Sequence, residues 1–150
     1  MYKHIILAYD GSESGQNALL SIKELARWEK PKFTLLAVVP TPLDAGSLEV
    51  GYLANADTTG YEDELKKQLS RGVKSMRTMG FDATGELLRG EVIRELTRYA
   101  EAKSADLIVV GHTHEKNLLK RWWSGSTAKS LVDEASCNVL IVIAHKRSTK

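Results

Sequence analysis

Short, nearly continuous apolar runs alternate with segments whose apolar residues recur every three or four positions, and this alternation constrains the fold most. The runs are His4 to Tyr9, Phe33 to Val39, Ala83 to Leu88, Leu107 to Val110 and Val139 to Ile143. Each has the length of a strand, and most are rich in valine, isoleucine and leucine. Between them, Leu19, Ile22 and Ala26 mark a first helix, and Tyr61, Leu65, Leu69, Val73 and Met76 a second. Val92, Leu96, Tyr99 and Ala100 mark a third, and Ala128, Leu131, Val132 and Ala135 a fourth. Strands that are apolar throughout must be buried on both faces. The order βαβαβαβαβ therefore predicts a doubly wound α/β fold, a parallel sheet covered by helices on both faces and joined by right-handed crossovers. A chain of 150 residues is expected to form one domain, 1–150, whose core needs no disulfide or metal to hold it.

Composition removes several function classes. The longest apolar run, Val139 to Ala144, is far short of a membrane span, and the N-terminus enters HIILAY without an apolar leader. The expectation is a cytoplasmic protein with no membrane partner. A net charge of +2 is too balanced for a dedicated nucleic-acid binder. The single cysteine, Cys137, excludes an internal disulfide and reads as a buried free thiol. The stretch Pro40 to Thr59 breaks the periodicity and is long for a connection, which fits either a mobile flap over a site or a plain surface insertion.

In doubly wound sheets ligands bind outside the carboxyl ends of the strands, where the strand order reverses, so the loops after Tyr9, Val39, Leu88 and Val110 carry the functional reading. The first is Asp10-Gly-Ser-Glu-Ser-Gly15. Gly11 permits a tight turn, Ser12 or Ser14 can cap the helix, and the Asp10 carboxylate can accept hydrogen bonds from ribose hydroxyls or an amino group. The loop after Val110 runs from Gly111 to Ser130 and contains Lys116, Lys120, Arg121, Trp122 and Trp123. Gly125-Ser126 opens a helix, whose N-terminus favours anions. His112 and His114 are spaced to chelate a metal with Asp10 or Glu115, but no further ligands of a closed site are evident, and we assign no metal. Loop histidines that bond backbone or an anion are the alternative. The paired tryptophans can stack bases beside Lys120 and Arg121, or pack the crossover onto the sheet or a second subunit.

AYDGSESG resembles the AxDGSxxS opening of universal stress proteins. The element order, the length, the VGH end of the fourth strand, GST before the fourth helix and the final CNVLIVI resemble that family as well. The resemblance implies a Rossmann-like five-stranded parallel sheet of order 3-2-1-4-5, a homodimer through the last strand and, in one subclass, ATP at the strand ends. That subclass has the pattern GxxGx9G(S/T). Gly111 and Gly125-Ser126 match its ends, His114 replaces its second glycine, and ten residues, Glu115 to Ser124, stand in place of nine. By resemblance the nucleotide-binding residues are Asp10 near ribose, Val38 offering backbone to the adenine edge, Gly111 beside ribose or phosphate, and Gly125, Ser126 and Thr127 at the phosphates. His114, outside the family pattern, joins them as a candidate facing the phosphates, and it or Asp10 would stand near the γ-phosphate in a slow hydrolysis. The cofactor would be ATP or another adenine nucleotide, with Mg.

The chain has no GxxxxGK(S/T) loop, no SGGxDS opening and no serine in a nucleophile turn. No residue is therefore given a catalytic role, and slow hydrolysis of bound ATP is the most that an enzyme reading allows. The reading is a small regulatory stress-response module that binds an adenine nucleotide and acts on a protein partner yet to be identified. The alternatives are a nucleotide-independent dimeric stress protein and a weak ATPase.

Overall fold

A computed structural model describes residues 2–25, 30–40, 58–113 and 125–144. In chain order the elements are β1 His4–Ala8, α1 Glu13–Leu25, β2 Lys32–Val39, α2 Thr58–Thr78, β3 Asp82–Arg89, α3 Val92–Ala102, β4 Leu107–Thr113, α4 Gly125–Glu134 and β5 Asn138–Ala144. The five strands form one sheet in the order β3-β2-β1-β4-β5, with every pairing parallel. The doubly wound sheet and its 3-2-1-4-5 order are thus the observed ones.

The alternation of side chains along each strand builds two cores. Ile5, Leu7 and Tyr9 lie on one face with Leu35 and Val109, under Leu19 and Ile22 of α1 and Leu65, Leu69 and Met76 of α2. Ile6, Ala8, Leu36 and Val38 lie on the other, under Ile93, Leu96 and Ala100 of α3 and Leu131 of α4. Each of the fully buried leucines and isoleucines contributes about 1.5–3 kcal/mol relative to exposure. Two helix positions expected to be apolar-facing are exposed: Val132 at 58% and Tyr61 at 36%. Val132 follows the buried Leu131 by one residue, and a helical step of about 100° carries it off the covered stripe. Tyr61 sits one turn ahead of Leu65, close to the start of α2. Ala26 and residues 41–57 lie outside the described residues.

The amino ends of β1 and β4 are tied together by Asp106, whose Oδ2 accepts from the backbone N–H of Lys3 at 2.7 Å and of His4 at 2.8 Å. These two donors hold its carboxyl below the usual range. With that end fixed, the opposite end of β1 sets the shape of the site.

Candidate functional site

β1 is shorter than both of its neighbours at the carboxyl end. Its last paired residue, Ala8, stands opposite Leu36 of β2 and Val110 of β4. β2 continues through Ala37, Val38 and Val39 alongside β3, and β4 continues through Gly111, His112 and Thr113 alongside β5. Because Tyr9 N–H still bonds to Leu36 C=O, the sheet has a notch between β2 and β4 that is open above the level of Ala37 and Gly111, two residues deep on each wall, or about 7 Å at ~3.3 Å per residue. It lies at the switch point, because the chain winds from β1 to β2 and β3 on one side and returns to β4 and β5 on the other.

The polar groups on the β2 wall follow from its hydrogen bonds. Leu36 C=O accepts from Tyr9 N–H at 2.9 Å, toward β1, whereas Val39 C=O accepts from Gly90 N–H at 3.0 Å, toward β3. Backbone groups alternate sides along a strand, so the N–H and C=O of Val38 point toward β1 at a level where β1 has ended. Val38's side chain is buried in the core under α3. Its backbone is what the notch presents.

The floor is the turn from Tyr9 into α1. Asp10 Oδ1 accepts from Ser12 N–H at 2.8 Å, and Ser12 Oγ accepts from Gly15 N–H at 3.1 Å, which makes Ser12 the cap of α1. Gly11 adopts φ +75°, the left-handed region, so the chain reverses directly behind the carboxylate. Gly15 is buried, and a Cβ there would stand 3.2 Å from Asp10 Oδ1, so the missing side chain lets the helix start press against the carboxylate. Burial raises the Asp10 pKa above the usual carboxylate value, opposed by the hydrogen bonds from Ser12. Beneath it the fully buried Tyr9 has its phenol pKa raised, by burial first and by the Asp10 charge second, while its hydrogen bond with the Gln16 amide acts in the opposite direction.

Of the residues expected at the site, Asp10, Val38 and Gly111 come together around the notch, with Gly111 the first residue of β4 beyond the end of β1. Gly125, Ser126 and Thr127 form the first turn of α4, whose amino end follows the carboxyl end of β4 in the crossover. His114 lies outside the described residues, as do Glu115, Lys116, Lys120, Arg121, Trp122 and Trp123. Among the described residues, no three His, Cys, Asp or Glu side chains are grouped to hold a metal ion. Cys137 is free and half-buried, and burial pushes its thiol pKa up, away from nucleophilic reactivity. Sequence reading missed Gly15, Gly72 and Gln68 as supports. Gly72 of α2 sits over Tyr9, where a Cβ would stand 2.7 Å from the ring, and a Cβ on Gly11 would stand 2.1 Å from Gln68 Oε1. Glycine in the middle of a helix was the available signal for the first of these.

A doubly wound five-stranded parallel sheet of order 3-2-1-4-5, with helices on both faces, is a Rossmann-like α/β architecture. Residues 1–142 match the model of the universal stress protein family, and the chain belongs to that family. It is 31% identical over 149 residues to a universal stress protein of Thermus aquaticus, covering 95% of this chain and 99% of that one. It is 27% identical over 155 residues to one from Methanocaldococcus jannaschii, covering 95% of each. The solved structure of the Methanocaldococcus protein superimposes with a TM-score of 0.76 at 22% identity, over 97% of this chain and 99% of that one. Two others share the fold at 17% identity. One is an Arabidopsis thaliana protein solved with AMP bound, with a TM-score of 0.67 over 99% and 95% of the two chains. The other is a universal stress protein in complex with cAMP, with a TM-score of 0.63 over 95% and 97%.

Proposed function

We propose that this universal stress protein binds an adenine nucleotide in the notch and acts as a regulatory module rather than by turnover. The observation that carries the reading is the early end of β1. It leaves the Val38 N–H and C=O aimed at the gap, a donor and an acceptor suited to the edge of a base, and sets the Asp10 carboxylate below as an acceptor for hydroxyls. The first turn of α4, Gly125 to Thr127, would receive phosphate through backbone N–H groups and the helix dipole. His114 joins the proposal as a residue facing the phosphates, at a position where the family pattern has glycine. The complexes of two relatives with AMP and cAMP support an adenine ligand.

Thermal shift and calorimetry with AMP, ADP, ATP and cAMP, each with and without Mg, test this. A ligand present at 100 times its Kd stabilises by about 2.7 kcal/mol. In a 150-residue domain that raises Tm by roughly 5–10 °C. No shift and no heat with any of them at 10 mM would remove the nucleotide and favour the nucleotide-independent module. Multiple turnovers of ATP would favour the weak ATPase.

The same reading includes a homodimer through β5. This strand ends the sheet, with Leu140 and Val142 packed on the α1/α2 core, Val139 and Ile141 on the α3/α4 core, and Ile143 46% exposed. An apolar edge of this kind gains by pairing with its own copy. Light scattering of the wild type and Ile143→Lys at micromolar concentration checks it: a dimer and a monomer, respectively, are expected.

A further inference from the structure

The opposite edge of the sheet borders a second surface, distant in topology from the notch. A groove of about 590 Å³ runs between α2 and the outer edge of β3, with Leu69, Val73 and Gly85 as its floor and Lys74 and Arg77 on its rim. β3 pairs only with β2, so its outer edge faces no strand among the described residues. Gly90 N–H points to β2, and by alternation the backbone groups of Ala83, Gly85, Leu87 and Arg89 point outward. The two ends of this edge are already engaged. Arg77 Nε donates to Ala83 C=O at 2.8 Å, and the Arg89 guanidinium binds Glu62 of α2. Between them lies a window, centred on Gly85 and Leu87, of outward N–H and C=O groups. Gly85 is exposed and carries no side chain to hinder an approaching backbone.

On the α2 face of this window the charge is one-sided, while the exposed Glu86 stands on the opposite face, toward Tyr99 of α3. From Leu65 to Thr78, α2 carries Lys66, Lys67, Arg71, Lys74 and Arg77 and no acidic residue. Lys66 pairs with Glu62 at 2.9 Å, whereas Lys74 lies on the groove itself. The geometry points to a docking site for a short, extended, acidic segment of a partner protein, which adds as a strand to β3 at Gly85–Leu87 and sets carboxylates against Lys74 and Arg77. Strand addition supplies affinity through the main chain, and the cations select acidic side chains at alternate positions.

The probe is a fluorescein-labelled hexapeptide of alternating Glu and Thr, titrated into the full chain and followed by anisotropy and by amide NMR. Saturable binding is expected at or below millimolar concentration, with the Gly85 and Leu87 amides shifting and affinity falling in high salt. Lys74→Glu, an exposed helix substitution, should weaken binding at least tenfold without changing Tm materially. N-methylation of the peptide backbone should abolish binding, which separates strand pairing from attraction of charge alone. Absence of binding by the Glu-Thr peptide, equal binding of a Lys-Thr peptide, retained binding of the N-methylated peptide, or stronger binding of a single-stranded oligonucleotide would each overturn the assignment. The nucleotide proposal stands or falls separately, because adenine ligands are absent from these titrations.

Discussion

Gly11→Ala tests the turn that holds Asp10. The residue sits at φ +75°, where a Cβ costs about 1–2 kcal/mol of backbone strain. That Cβ would also stand 2.1 Å from Gln68 Oε1, 2.5 Å from Gln68 Cδ and 2.9 Å from Gln68 Cβ. The two nearer atoms are at the mobile end of a side chain and can swing away, but Cβ cannot, so overpacking adds about 1–3 kcal/mol. Reduced freedom of the unfolded chain offsets about 0.4–1 kcal/mol. The net expectation is a loss near 3 kcal/mol, read as a fall in the urea midpoint at unchanged m-value. Gln68→Gly removes that Cβ; alone it loses the exposed Gln68 Nε2 to Glu64 Oε1 bond at 3.2 Å and costs about 1 kcal/mol of helix propensity. In the double variant the steric part relaxes and the strain remains, giving a favourable coupling of about 1–2 kcal/mol. Costs that simply add, within about 0.5 kcal/mol, would refute the contact between the turn and α2.

Gly72→Ala gains about 1 kcal/mol of helix propensity but places a Cβ 2.7 Å from Tyr9 Cε1 and 2.8 Å from Leu35 Cδ2, both inside the core, so a net loss of about 1–2 kcal/mol is expected by denaturation; a net gain would mean that α2 stands farther from Tyr9. Asp10→Asn keeps an Oδ1 acceptor for Ser12 N–H and removes a carboxylate whose folded-state pKa is raised by burial. The wild-type contribution is then full below the unfolded value of about 3.8 and lost as pH rises through the folded value, so the variant's stability relative to wild type should climb over that window and level off above it; a difference that is flat with pH would count against the buried charge. Ser104 has φ +49° just after α3, and Ser104→Gly should raise stability by about 0.5 kcal/mol, measurable as a small rise in Tm.

The fold was legible because β1, β2, β4 and β5 are apolar on both faces, as strands inside a parallel sheet must be. β3 was harder. ATGELL leaves Gly85 and Glu86 exposed, because it is an edge strand with one side open to solvent. The carboxyl end of β4 was read short at Val110, since Gly111, His112 and Thr113 carry no apolar pattern. They continue as strand because Val142, Ile143 and Ala144 of β5 pair with them. For the site, Asp10 and Gly11 were visible from their place after the first strand, and Ser12 as one of two candidate caps. Gly15, Gly72 and Gln68 were not, because their roles depend on how closely α1 and α2 approach the turn, and no local rule encodes that distance.

The turn joins two features that weaken an apo domain: a carboxylate moved toward its neutral form by burial, and a residue in the left-handed region. Each has a partial remedy in the chain, namely the Ser12 hydrogen bonds and a glycine. Neither restores to Asp10 the solvation that burial removed. A ligand that brings hydroxyl or amino donors into the notch would supply it and stabilise the charged carboxylate in the folded state only. The adenine-nucleotide reading and the pH behaviour of Asp10→Asn are therefore linked. Binding should shift the wild-type carboxyl pKa downward, so affinity should rise as pH increases through the apo folded value. In Asp10→Asn that dependence should vanish together with part of the affinity. Calorimetry at several pH values reads both effects, and an affinity that does not change with pH in the wild type would separate the ligand from Asp10.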